Sequence, residues 1–312
     1  MRWTRCSCLG VMISLIGLAS PPGLKAQELV REALASFPQD TLRVEYSHPA
    51  VLRSLPDYAA LRQRYEGPRL QELEDSFASL GVQESDVEEL MLGWNTAGGD
   101  WDFYGLARGR FDARALAARA ADLGLAPVRI GDTQAFCPGS EAKANCLAPL
   151  GDSLGAFGTL QLLRAMLDVR AGKSAGLGAD NDFAKLVNGV GTKASIWGVA
   201  RGPAVADWFR GWIPNQNNLK LDWTEAFKSV ESLSYSVNAG NTVQLMVEMN
   251  CTTSGNAASL RQVLEGLKLF QQMSWESQNS STPNPFKDLE VQANGSRVLI
   301  ELNTPYASLK VG

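Results

Sequence analysis

The chain has 312 residues, 45% of them hydrophobic and 20% charged, with 29 lysines and arginines against 33 aspartates and glutamates. This is ordinary globular composition with ample core material, and the acidic balance argues against a nucleic-acid footprint or electrostatic docking on anionic lipid. A single histidine, His48, excludes multi-histidine zinc sites and leaves one imidazole for any serine or cysteine triad.

Residues 1–26 read as a cleavable signal peptide. Arg2 and Arg5 form a basic n-region, Leu9 to Ala19 is an apolar stretch too short to span a bilayer, and no acid precedes Glu28. Pro21, Pro22 and Gly23 act as helix breakers and Ala26 offers a small residue at the cut, which puts the mature start near Gln27. Removal takes three cations and no acid, leaving a net charge of −7. No later segment is apolar enough to cross a membrane. The expected destination is the periplasm or the extracellular space of a Gram-negative bacterium. Three cysteines remain in the mature chain, and in an oxidising compartment Cys137 and Cys146 are placed to bridge the short polar loop between them, with Cys251 left free.

Leu42 to Tyr46 alternates as a first strand, followed by helical spacing over Leu52–Arg64 and Arg69–Leu80, the latter stopped by Gly81. Val87–Trp94 and Trp101–Phe111 read as two strands joined by the turn residues Ala97 to Asp100. Asp112 caps a helix to Leu123. Short strands at Val128–Ile130, Gln134–Cys137 and Leu147–Leu150 come next, and a helix over Leu160–Arg170 follows. Val230 to Val237 and Val243 to Met249 alternate around the turn Asn238–Asn241. A helix carries Leu260, Val263, Leu264, Leu267 and Phe270 on one stripe, and Leu289 to Ala293 and Val298 to Leu302 flank the Asn294-Gly295 turn.

The two stretches share the order strand, turn, strand, polar cap, helix, strands, and the openings Val87-Glu88-Glu89-Leu90 and Val230-Glu231-Ser232-Leu233 stand 143 residues apart. That spacing is too long for a solenoid and fits a duplicated unit. The expected fold is therefore α+β, with two related antiparallel sheet and helix modules of strand-strand-helix-strand type, helices covering one sheet face. The divisions are a signal peptide (1–26), an N-terminal strand and helices packed on the first module (27–86), a first module (87–222) and a second (223–312).

No catalytic, metal or cofactor constellation emerges. Ala171-Gly172-Lys173-Ser174 carries the tail of a phosphate loop, but Leu167 stands where its first glycine belongs and a helix precedes it instead of a strand. Ser140 and Lys143 form an S-x-x-K pair, the nucleophile and base of penicillin-recognising enzymes, yet they fall in a polar loop rather than on a buried helix, and no K-T-G follows. Asp100/Asp102 and Glu88/Glu89 are read as solvated surface acids rather than glycosidase carboxylates. Trp197 lies in an apolar strand. Trp208, Phe209 and Trp212 share a short helical segment with Trp223 nearby, either packed on the sheet or exposed as an aromatic patch for a protein, a glycan or an apolar ligand.

Phe37-Pro38-Gln39-Asp40-Thr41, Leu52-Arg53-Ser54-Leu55-Pro56 and Ala194 to Ala200 resemble a family of uncharacterised exported bacterial proteins of unknown function. The resemblance implies fold class and compartment and transfers no catalytic residue. The favoured expectation is a non-catalytic periplasmic or cell-surface binding or assembly protein without cofactor. A secreted hydrolase using acids or the Ser140/Lys143 pair is the alternative, and a carrier of a small apolar ligand is the third.

Overall fold

The structure, a computed structural model, describes residues 22–306 except 57, 60, 61, 63–67, 96–102, 139–143, 191–193, 213–221 and 279–283. Residues 1–21, the Ser140/Lys143 pair, Asp100/Asp102 and the Trp212 side chain lie outside what is described. Helix α1 (Pro22–Ser36) leads into β1 (Arg43–Ser47), then α2 (Pro49–Leu52), α3 (Pro68–Ser79), and the hairpin β2 (Val87–Trp94) and β3 (Phe103–Gly109). Helix α4 (Ala113–Asp122), the small pair β4 (Val128–Ile130) and β5 (Thr133–Ala135), and β6 (Asn145–Pro149), β7 (Leu154–Thr159) and α5 (Leu160–Arg170) complete the N-terminal half. The C-terminal half runs through α6 (Asn181–Gly189), β8 (Ile196–Arg201), α7 (Pro203–Trp212), α8 (Trp223–Phe227), β9 (Val230–Ala239), β10 (Thr242–Cys251), α9 (Ser254–Gln278), β11 (Glu290–Asn294) and β12 (Arg297–Pro305).

Ten of these strands form one antiparallel sheet in the order β11-β12-β10-β9-β8-β1-β2-β3-β7-β6. The fold is thus α+β, as expected, with the two halves hydrogen-bonded into a single sheet across β1 and β8. Strand β1 lies against the first module through its pairing with β2. It is the innermost strand of the N-terminal half, between β2 and β8.

One lateral row shows the register. Val291, Ile300, Val247, Tyr235, Gly198, Glu45, Leu92, Gly105, Phe157 and Leu147 stand side by side on the same face across all ten strands. Counted outward from the seam, both halves read alike: β1-β2-β3-β7-β6 on one side and β8-β9-β10-β12-β11 on the other.

Helices cover this first face along its whole length. In the N-terminal half Leu73 and Phe77 of α3 and Leu116 and Ala120 of α4 pack on Leu92, Ala107, Leu147 and Phe157. In the C-terminal half α7, α8 and α9 pack on Leu233, Tyr235, Val247 and Ile300. Among the described residues the second face is covered only in the N-terminal half. There α1, α5 and α6 bury Leu29, Val30, Leu163, Met166 and Phe183 against Val44, Tyr46, Met91, Leu106 and Trp197. Each large apolar side chain removed from water in this way stabilises by about 1.5–3 kcal/mol.

Local chemistry explains the breaks. Pro22 opens α1 instead of stopping a helix, consistent with proline's tolerance at the first helical position. Asp112 caps α4 through the Arg114 and Ala115 N–H groups, and Thr159 caps α5 through that of Leu162. Gly295, at φ +58°, makes the tight β11–β12 turn announced by Asn294-Gly295. The phosphate-loop lookalike is a helix end: Gly172 follows α5 and donates its N–H to the Val169 carbonyl.

Candidate functional site

The seam gathers the polar groups that the flanking cores exclude. Strand β1 alternates, so Arg43 and Glu45 face the first side and Val44 and Tyr46 the second. On the first face Arg43 Nη2 donates to Glu45 Oε2 at 2.7 Å, and the Tyr235 hydroxyl donates to the same oxygen from β9. The Arg43 guanidinium lies over Trp94, 4.2 Å from the ring centroid, and Trp208 of α7 packs on the Tyr235 ring at 4.8 Å. Gly198 makes room for that phenol: a Cβ there would meet Tyr235 Cε1 at 2.7 Å. Burial, reinforced by the Glu45 charge, pushes the Tyr235 hydroxyl well above the usual phenol range, so it stays a proton donor.

The second face carries a deeper network. The Tyr46 hydroxyl donates to Glu89 Oε1 at 2.7 Å, and Arg108 Nε stands 3.5 Å from Glu89 Oε2. Arg108 also reaches Glu28 of α1 at 2.7 Å. Trp197 stacks on Tyr46 with centroids 5.5 Å apart. Burial, then the Glu89 hydrogen bond, raises the Tyr46 phenol far above its ordinary value. Glu89 is only 2% exposed, which corrects the expectation that Glu88/Glu89 are solvated acids: Glu88 is exposed, whereas Glu89 is an internal tie between sheet and α1. Arg201 of β8 plays a similar part, binding Asp180 at the start of α6 and the Gln39 and Thr41 carbonyls at 3.3 and 3.2 Å. Glu45 and Glu89 therefore each engage an arginine and a phenol of the same chain. That arrangement stitches layers together rather than presenting a carboxylate to a substrate.

Of the aromatic segment, the three side chains described are buried. Trp208, Phe209 and Trp223 are 2%, 6% and 6% exposed, and they form a stack with Phe227, whose ring lies 4.3 Å from that of Phe209. The exposed patch that the spacing of Trp208, Phe209 and Trp223 allows is therefore buried against the sheet. His48 serves as the cap of α2, its Nδ1 accepting from the Val51 N–H at 3.4 Å. The bridge between Cys137 and Cys146 is formed, and Cys251 is a buried free thiol whose pKa burial raises. In the sequence Arg43, Glu45, Tyr46, Tyr235 and Arg108 read only as strand positions, since a charged–apolar alternation carries no mark of a central place in the sheet.

What remains open among the described residues is the second face of the C-terminal half. Ser234, Ser236 and Asn238 of β9, Gln244, Met246, Glu248 and Asn250 of β10, and Leu299, Glu301 and Asn303 of β12 point to it, all half-exposed or exposed. Glu290, Gln292 and Asn294 of β11 continue it to the edge. The two edges of the sheet differ. Along β6, Phe136 and Leu147 exchange both backbone hydrogen bonds, at 2.8 and 2.9 Å, and the adjacent disulfide holds the Phe136 segment in place. Among the described residues β11 pairs with β12 alone. Among those same residues no group of three or more histidine, cysteine, aspartate or glutamate side chains could hold a metal ion, and no helix is long and apolar enough to cross a membrane.

An α+β protein built on one ten-stranded antiparallel sheet is what these features define. No protein-family model and no curated protein matches the chain. Among solved structures, crystal form III of TP0453 is similar over 88% of this chain and 94% of that one, with a TM-score of 0.49 and 11% identity. Crystal form I of TP0453 gives 0.48 and 9% over 89% and 94% of the two chains.

Proposed function

We propose that the chain is an exported, non-catalytic binding or assembly protein whose working surface is the uncovered second face of its C-terminal half-sheet. The observation that carries this reading is the asymmetry between halves with the same strand order. One half buries its second face under α1, α5 and α6, whereas among the described residues the other leaves open a four-strand surface of serine, asparagine, glutamine and glutamate side chains with Met246 and Leu299 among them. A surface of this kind suits hydrogen-bonded recognition with a polar rim better than deep enclosure of a ligand. The basic and apolar leader pattern of residues 1–26 and the Cys137–Cys146 bridge support an oxidising compartment outside the cytoplasm.

The reading includes an origin by duplication. Leu92 and Phe157 share their lateral row with Tyr235 and Ile300, each 143 residues further on, which is the spacing of the Val87 and Val230 openings. In this view the second copy lost its outer helical cover and gained a surface.

The test uses the chain from Gln27 as bait on the source organism's envelope fraction, beside Ser236→Arg and Met246→Arg on the open face and Gln161→Arg on exposed α5. A partner held by the wild type and the α5 variant but lost by both face variants supports the reading. Equal capture by all four baits places the interaction elsewhere and overturns it.

A further inference from the structure

We propose that β11 accepts an extended segment of a partner protein as an eleventh strand of the sheet, with a lysine or arginine of that segment set against Glu290 and Glu301. This rests on the reading of the C-terminal half-sheet as the binding surface and names the chemistry of what it binds.

An unpaired edge strand presents a row of N–H and C=O groups that template another strand, and proteins guard such edges with lysine, proline, bulges or covering segments. The β6 edge is guarded by the Phe136–Leu147 bridge, by Pro149 and by the disulfide. The β11 segment Glu290-Val291-Gln292-Ala293-Asn294 has no lysine or proline, its register against β12 runs without a shift, and among the described residues no segment pairs with its outer edge. Val291 is anchored in the core on the first face, while Glu290, Gln292, Ala293 and Asn294 are exposed.

Charge selects the occupant. Glu290 lies directly opposite Glu301 on the open face, and like charges so placed on neighbouring strands destabilise a sheet. Gln292 donates to Glu290 at 3.2 Å, and Arg297, at the far end of the hairpin, is engaged with Glu248 at 3.4 Å. No ion pair within 4 Å serves either Glu290 or Glu301 among the described residues. A strand added to β11 places its own side chain beside Glu290 in the same lateral row, where a long cationic group neutralises the pair. A second copy of this chain, paired antiparallel about Gln292, would bring Asn294 to that position and supply no cation.

The test measures binding of a short fluorescent strand peptide of alternating valine and lysine by anisotropy. Two controls run beside it: the same peptide with glutamate for lysine, and the lysine peptide N-methylated along one backbone edge. The lysine peptide is expected to bind the wild type, and the double variant Glu290→Gln/Glu301→Gln to weaken it about fivefold. Both controls are expected to fail. Thermal melts confirm folding of the variant, whose midpoint rises slightly as the like-charge pair is removed.

Equal binding of the N-methylated peptide, or no effect of the glutamine variant, reduces the result to general attraction for an acidic protein and overturns the proposal. Rapid inter-chain disulfide formation by Gln292→Cys overturns it in favour of a second copy on the edge. In the envelope capture, loss of the partner with Ser236→Arg but not with Glu290→Gln/Glu301→Gln sinks strand addition and keeps the broader surface. Indifference to both sinks the two together.

Discussion

At the scale of single residues, burial decides between roles that the sequence leaves open. Trp208 and Phe209 occupy successive helix positions that could face sheet or solvent, and their contacts settle it: Trp208 meets Tyr235 at 4.8 Å and Phe209 at 4.9 Å. Trp208→Ala is therefore expected to act on stability, lowering it by about 3–5 kcal/mol as a buried aromatic is truncated. A urea-unfolding midpoint reads this directly, with Met246→Ala on the open face as comparison, expected to stay within about 0.5 kcal/mol of wild type. A Trp208→Ala protein of unchanged midpoint would return that segment to the surface. The polar side chains follow the same logic. Glu88 and Glu89 are indistinguishable as letters, yet alternation sends one to solvent and the other beneath α1, where Tyr46 and Arg108 hold it. The partners that distinguish them come from β1 and β3, and no local reading of residues 87–90 contains them.

At the scale of elements, the legible parts are those fixed by neighbours in the chain. The β9–β10 and β11–β12 hairpins, the cap at Asp112 and the stripe of α9 emerge with the expected residues, because alternation, turn chemistry and helical spacing act over a few positions. Helix α6 and strand β7 were not anticipated. β7 carries two glycines among small residues and shows little alternation, and α6 is only nine residues long, too short for its apolar stripe to repeat. The disulfide is legible from spacing and the expected compartment, but its role is not. It fastens the Phe136 segment along β6, so it guards a sheet edge as well as closing a loop. Replacing both cysteines by alanine is expected to cost about 2–3 kcal/mol and to speed hydrogen exchange at the Leu147 amide, which donates to the Phe136 carbonyl at 2.9 Å. Lost stability with unchanged Leu147 protection would confine the bridge to loop closure.

At the scale of the whole molecule, two halves of like strand order form one sheet because the seam is interior to both. Trp197 and Val199 of β8 belong to the core under α1, α5 and α6, although β8 opens the C-terminal half. In the other direction Leu42, just before β1, packs against the C-terminal core, and Tyr235 donates to Glu45. Sequence alternation suggests like strand patterns in the two halves but not that they interlock, since the contacts responsible join residues some 150 to 190 positions apart. Interlocking has a measurable consequence. Residues 27–190 made alone lack the strand that pairs with β1 and the indole that stacks on Tyr46, and residues 194–312 made alone expose Trp197 and Val199. Neither fragment is expected to give a cooperative unfolding transition, and mixing the two is expected to restore one, with a single peak on size exclusion and quenched accessibility of Trp197 to iodide. If 194–312 alone unfolds cooperatively at a midpoint near that of the intact chain, the seam joins two finished domains. The uncovered half-sheet would then have to be understood as the face of an independent module, free to present β11 without its N-terminal partner.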